Sequence, residues 1–235
     1  MYDPVELSKK VETIVVQNNL KKYYRFRPTG FYGGIATADT VGCNLRCKFC
    51  WSINSVWNAN NTGEFYTAKE VADILQRIVE TKRYHQVRIS GGEPTIGKHH
   101  LIEVLEHINL TTVFILETNG ILLGYEKHYV EDLSVFKNLH VRVCLKGADA
   151  EEFSHFTGAE TGFEYQLKAL QYLRDLYMNF NIAVVSTNHE KKQGLFQRLK
   201  DMNLENIMIE EEEITLYPKV RNRLQKEKLL HYFDK

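Results

Sequence analysis

From about residue 34 onward, short apolar runs of extended character alternate with longer stretches whose apolar residues recur every three to four positions. Glycine or polar residues close each run. The rhythm predicts six strands, at 34–39, 86–90, 112–117, 140–146, 181–186 and 206–214, joined by helices at 67–82, 98–108, 126–137, 161–178 and 191–202. The 67–82 helix is the most fully specified. Thr67 stands as N-cap with Glu70 three residues on, a capping box, and Val71, Ile74, Leu75 and Ile78 form its buried stripe. Strands separated by helices imply parallel neighbours with right-handed crossovers, and ligands at the C-terminal strand ends. The fold class is α/β, and periodicity alone leaves open whether the six strands curve into a partial barrel or lie flatter.

Composition narrows the setting. The 235 residues, 43% of them apolar, suffice for one substantial core, so the expectation is one structural domain with three parts. Residues 1–32 form a helical, basic-aromatic extension, 33–214 the βα core, and 215–235 a basic helical tail. No apolar run approaches the ~20 residues that span a bilayer. The 30 basic side chains balance the 30 acidic ones, so global charge gives no argument for nucleic acid. Residues 1–20 lack the apolar core and cleavage site of a secretory signal, which points to the cytoplasm and no membrane partner.

Chemistry concentrates at the strand ends. Directly after the first strand comes Cys43-x3-Cys47-x2-Cys50, three thiolates where four would close a metal site. A zinc knuckle borrowing Cys144 or a histidine is the alternative, and a disulfide would leave an odd thiol. With four cysteines in all, a second iron–sulfur cluster is not expected. The second strand ends in Gly91-Gly92-Glu93-Pro94, the third in Glu117-Thr118-Asn119, the fifth in Ser186-Thr187-Asn188-His189. In 140–146 a period of two turns Val141, Val143 and Leu145 toward the helices, and Arg142, Cys144 and Lys146 inward. Buried cations need partners, and Glu210 and Glu212 on the sixth strand are expected to face Arg88 or Arg142, the alternative being a frayed, solvated strand end. The polar loop 51–61, with both tryptophans, is placed over the site. Lys21–Arg27 interleaves basic and aromatic residues as a nucleic-acid platform does, although a packed strand with solvated basic ends is the preferred reading.

The C-x3-C-x2-C loop, with Phe49 before its last cysteine, followed one βα unit later by Gly91-Gly92-Glu93-Pro94, resembles the radical S-adenosylmethionine (SAM) superfamily over about residues 33–214. That resemblance implies a partial (β/α)6 TIM-like barrel in which Cys43, Cys47 and Cys50 hold a [4Fe-4S] cluster and SAM chelates the fourth iron. It implies that backbone around Phe49 meets the adenine, that Gly91, Gly92 and Glu93 receive the methionine amino group, and that Thr118 and Asn119 approach SAM. Lys146 resembles a fourth-strand lysine that contacts SAM in small activating enzymes, where Asp often stands two residues earlier instead of Cys144. Arg142 and Cys144 are the candidate catalytic residues. The implied reaction is reductive cleavage of SAM to a 5′-deoxyadenosyl radical that takes a hydrogen from an unassigned substrate, fed by a one-electron donor such as a flavodoxin or ferredoxin. An anionic small molecule is the favoured substrate, because inward cations suit a carboxylate or phosphate. A glycyl-radical-enzyme activase, an RNA or nucleotide modifier, and a non-enzymatic iron–sulfur or zinc module are the alternatives.

Overall fold

A computed structural model describes residues 1–186 and 189–233. Its strands are β1 (Val16–Gln17), β2 (Leu20–Thr29), β3 (Ile35–Thr40), β4 (Glu64–Tyr66), β5 (Gln86–Gly91), β6 (Val113–Thr118), β7 (Leu139–Leu145), β8 (Asn179–Val184) and β9 (Ile209–Glu211). Its helices are α1 (Pro4–Val15), α2 (Ile53–Trp57), α3 (Ala68–Lys82), α4 (Lys98–His107), α5 (Ile121–Tyr125), α6 (Lys127–Leu133), α7 (Ala150–Thr157), α8 (Phe163–Asp175), α9 (His189–Asp201), α10 (Pro218–Lys226) and α11 (Leu230–Phe233). All strands join one sheet in the order β1-β2-β3-β5-β6-β7-β8-β9, with β4 on β2. The six strands read from the sequence are the parallel ones, β3 and β5 to β9. The sheet does not close, which makes the architecture a partial barrel.

Local sequence explains where elements begin and end. Thr67 caps α3 through the anticipated reciprocal box with Glu70, whose carboxylate accepts from the Thr67 amide at 2.8 Å. The expected 161–178 helix is cut short at its start, because Gly158 and Gly162 adopt φ of +74° and +127°, and α7 precedes it with Asp149 as an N-cap the periodicity did not reveal. The last strand is shorter than expected, since residues 203–207 turn back on α9 through Leu204 N to Leu199 O and Ile207 N to Leu204 O. Apolar positions of β5, β6 and β7, such as Ile89, Leu116 and Val143, are fully buried under the helices. Among the described residues no helix is long and apolar enough to cross a membrane.

Residues 1–32 are woven into the same sheet. Strand β2 runs antiparallel beside β3, with Arg27 opposite Thr37. Its cations are engaged within the protein. The Asp39 carboxylate accepts from Arg25 Nε at 2.7 Å and Arg27 Nε at 2.8 Å, while the Lys22 ammonium donates to the carbonyls of Ala59 and Asn60. These contacts fit the preferred reading, a packed strand with solvated basic ends.

Candidate functional site

The cysteine loop leaves the C-terminal end of β3 and is held from both termini of the chain. Tyr2 Oη accepts from the Arg46 amide at 2.7 Å and donates to the Thr157 carbonyl at 3.2 Å. From the other end, Arg223 on α10 donates from Nε to the Lys48 carbonyl at 2.5 Å and from a terminal nitrogen to the Cys50 carbonyl. Phe49 is buried edge-on against Phe156 and Phe233. The basic tail is thus a clamp on the loop, a role its exposed lysines gave no sign of. Because charge-assisted hydrogen bonds contribute roughly 1.5–3 kcal/mol each, Arg223→Met should speed amide exchange at Lys48 and Cys50 by at least about tenfold while leaving β6 and β7 amides unchanged.

The three thiols are free, and close enough to raise one another's pKa. Burial pushes all three up, Cys47 to about 12, although the Lys146 cation pulls Cys47 and Cys50 back. Buried thiolates at neutral pH therefore call for bound positive charge. Among the described residues, no three Cys, His, Asp or Glu side chains converge as a single ion requires. Three free thiols gathered on one loop suit a polynuclear cluster, where each thiolate ligates its own iron. A neighbouring polar atom fits too: Asn44 Nδ2 is buried beside Cys43 without a hydrogen-bond partner, a donor of the kind cluster sulfides accept.

Glu93 organises the adjoining strand ends. Its Oε1 accepts from Thr95 N, Thr95 Oγ1 and Thr118 Oγ1 at 2.7–3.0 Å, and its Oε2 from Asn119 N at 2.8 Å. Asn119 Nδ2 in turn donates to Asn44 Oδ1 at 2.7 Å, linking this scaffold to the cysteine loop. Gln166, fully buried on α8, donates to the Asn119 and Cys144 carbonyls and joins the ends of β6 and β7. With both Glu93 oxygens engaged, a ligand is offered backbone here, not a free carboxylate. Gly92 explains its own identity: a Cβ there would lie 1.9 Å from the Gly42 carbonyl oxygen.

The concave face carries the ion network read from strand alternation. Glu210 accepts from Arg142 at 3.0 Å and from Asn181 at 2.8 Å, and Glu212 pairs with Lys146 at 3.2 Å. Arg88 pairs with Glu117 on β6, at 3.0 Å, and not with β9. Glu117 also lies 3.9 Å from Arg142 and accepts from Tyr32 Oη at 3.4 Å. Cys144 lies buried at 3.2 Å from Arg142, and burial pushes its thiol up to about 12. The face thus presents three cations and three carboxylates. The free cationic surface expected for an anion is absent among the described residues, since each strand-end cation already meets a carboxylate. Ser186 donates to Glu152 at 3.2 Å, whereas Thr187 and Asn188 lie outside the described residues.

The Lys146–Glu212 pair carries a pH prediction. Burial pushes the Glu212 carboxyl up, but the Lys146 and Arg142 cations more than offset it and hold it below 4.5; Glu212 likewise lifts Lys146 above 10.5 against burial. A depressed carboxyl contributes stability above its unfolded pKa that is lost as pH falls through the folded value. A raised lysine contributes below its unfolded pKa and is lost only as pH rises through its folded value. Urea denaturation from about pH 3 to 6 should therefore show a shallower acid-side loss of stability in Glu212→Gln, with the variant about 2 kcal/mol less stable at pH 7 because the half-buried Lys146 loses its carboxylate partner.

Comparison with known proteins gives the family. The Radical SAM superfamily model matches residues 38–199, more than half of the chain. A molybdenum cofactor biosynthesis protein, moc-5 of Caenorhabditis elegans, is 27% identical over 177 residues, which cover 73% of this chain and 28% of that protein. The 7-carboxy-7-deazaguanine synthase of Methanothermobacter thermautotrophicus is 36% identical over 82 residues, covering 35% and 31%. The chain thus spans about a third of the length of these curated relatives. The solved structure of SuiB from Streptococcus suis bound to its precursor peptide SuiA superposes with a TM-score of 0.62 at 21% identity, covering 83% of this chain and 44% of SuiB, and shares the fold. The chain belongs to the Radical SAM superfamily, enzymes that work with a [4Fe-4S] cluster and S-adenosylmethionine.

Proposed function

We propose that this chain is a radical SAM enzyme in which Cys43, Cys47 and Cys50 hold the [4Fe-4S] cluster, SAM lies across the ends of β5 to β7, and the substrate meets it on the concave face. The observation that carries this reading is the triplet itself: three free thiols, Cys47 buried and Cys43 and Cys50 half-buried, on a loop packed against the glycine strand end at Gly92. When bound, cluster and SAM supply one-electron cleavage to a 5′-deoxyadenosyl radical. The chain's residues supply placement. Gly91 and Gly92 admit the methionine end to backbone, Glu93, Thr118 and Asn119 hold that backbone still, and the peptide around Phe49 meets the adenine while its ring stays in the aromatic cluster. Lys146, paired with Glu212 at 3.2 Å in this structure, would hold the SAM carboxylate. Arg142 and Cys144 face the substrate.

The balanced charge of the concave face favours a polar substrate without net excess charge over the anion that Arg142 and Lys146 alone suggested. The relatives' names diverge, toward synthesis of a carboxy-deazaguanine in one and binding of a precursor peptide in another, and neither molecule carries over. A small one-electron carrier such as a flavodoxin or ferredoxin is the proposed reductant. Anaerobically reconstituted protein given dithionite and SAM is expected to release 5′-deoxyadenosine; none across several reductants would sink the proposal.

A further inference from the structure

Lysine is rarely buried whole, yet Lys21 on β2 is 1% exposed. Its Nζ donates to two backbone carbonyls on the turn after β5, to Pro94 at 2.6 Å and Ile96 at 2.5 Å. The turn continues into Gly97, whose φ of +84° and close approach to Val16, 2.7 Å from where a Cβ would stand, suit glycine, and the Lys21 stem packs beside it. Lys22, next along the same strand, donates instead to Ala59 and Asn60 beyond the cysteine loop. Two successive lysines therefore pin two different loops.

We propose that Lys21 is the positioning residue of the Gly91–Gly92–Glu93–Pro94 turn, gripping its backbone from the β2 side while Glu93 ties it to β6. The two grips are complementary. Glu93 fixes the turn to Thr118 and Asn119 through its side chain, and Lys21 fixes the main chain just past it. Without the lysine, two carbonyls would be left buried and unsatisfied, and the turn would relax toward other partners. Burial pushes Lys21 down to about 7 against the pull of Glu93 and Glu12, but the pin does not depend on its charge, because a neutral amine still offers the two N–H bonds the carbonyls accept. The turn is the backbone to which the proposed function assigns the methionine end of SAM, so the link from Lys21 to the cofactor rests on that reading. The grip itself does not.

The test uses the full chain, reconstituted, as wild type, Lys21→Met and Lys22→Met. Amide exchange at Gly92, Glu93, Thr95 and Ile96 reports the turn, equilibrium binding reports SAM, and iron analysis reports the cluster. Lys21→Met is expected to speed exchange at these four amides, with those of Val141 and Ile182 unchanged, and to weaken SAM binding, each by about tenfold, at constant iron content. Lys22→Met should leave the turn and SAM affinity as in wild type. Wild-type exchange at the turn in Lys21→Met overturns the role of Lys21, as does an increase spread evenly over the sheet. Faster exchange with unaltered SAM affinity overturns the link to the cofactor, and wild-type protein that binds no SAM overturns the underlying reading. If Lys21→Met does not fold, Lys21→Gln, which keeps an amide donor, is read in the same way with intermediate shifts.

Discussion

Cys47→Ala is expected to abolish 5′-deoxyadenosine release and to bring the iron content of reconstituted protein below about a tenth of the wild-type value. The expectation comes from the surroundings of the thiol. Cys47 is 8% exposed, and the nearby charged side chains that act on it, Lys146 and Glu212, are already paired with each other at 3.2 Å. Three thiolates are already the minimum that leaves one iron open, and losing one removes a protein ligand from a cluster that has none to spare. Cys144→Ala is the matched control. Cys144 is equally buried, but it sits on β7 against Arg142, outside the triplet, and its loss should leave iron content unchanged. Iron loss in both variants would mean that the fourth cysteine is a ligand and that no iron is left open for SAM.

Gly92→Ala should be a severely damaging single-methyl change, lowering stability by about 3 kcal/mol and SAM affinity beyond detection. The added carbon would meet the Gly42 carbonyl oxygen at 1.9 Å and the Thr40 carbonyl oxygen at 3.1 Å. Both contacts are backbone, which cannot swing aside as a side chain does. The Gly92 amide already donates to that same Thr40 carbonyl at 2.9 Å, and the Glu93 amide to Gly42 at 2.7 Å, so moving the turn outward breaks the bonds that join it to the cysteine loop. Gly30→Ala, where a Cβ would meet nothing within 4 Å, should change stability by less than about 0.5 kcal/mol. Urea denaturation of the two variants side by side tests this, and similar midpoints would show that the strand ends are looser than the close approach implies.

Legibility followed whether a residue's role was local or distant. Thr67 with Glu70 announces α3 because a capping box is written within four residues, and Arg142, Cys144 and Lys146 announce an inner face because strand period is local. Their carboxylate partners were also readable, since Glu210 and Glu212 are a matching alternation and buried cations require anions. Strand β2 was harder, because Lys21, Lys22, Arg25 and Arg27 resemble a solvated basic face until carbonyls 37 and 73 residues away, and Asp39 on the neighbouring strand, are seen to receive them. Tyr2 and Arg223 brace the cysteine loop from opposite chain ends, a contact no local pattern encodes. Glu93 was legible as part of a motif but not in its manner of acting, because the four donors around its carboxylate lie partly on another strand.

Electron paramagnetic resonance of the reduced, reconstituted protein, recorded with and without SAM and paired with metal analysis, addresses the open iron site directly. The account predicts about four irons per chain and a cluster signal that shifts when SAM is added, since the three cysteines leave one iron for it. One tightly held zinc per chain, or a cluster signal that SAM leaves untouched, would contradict it.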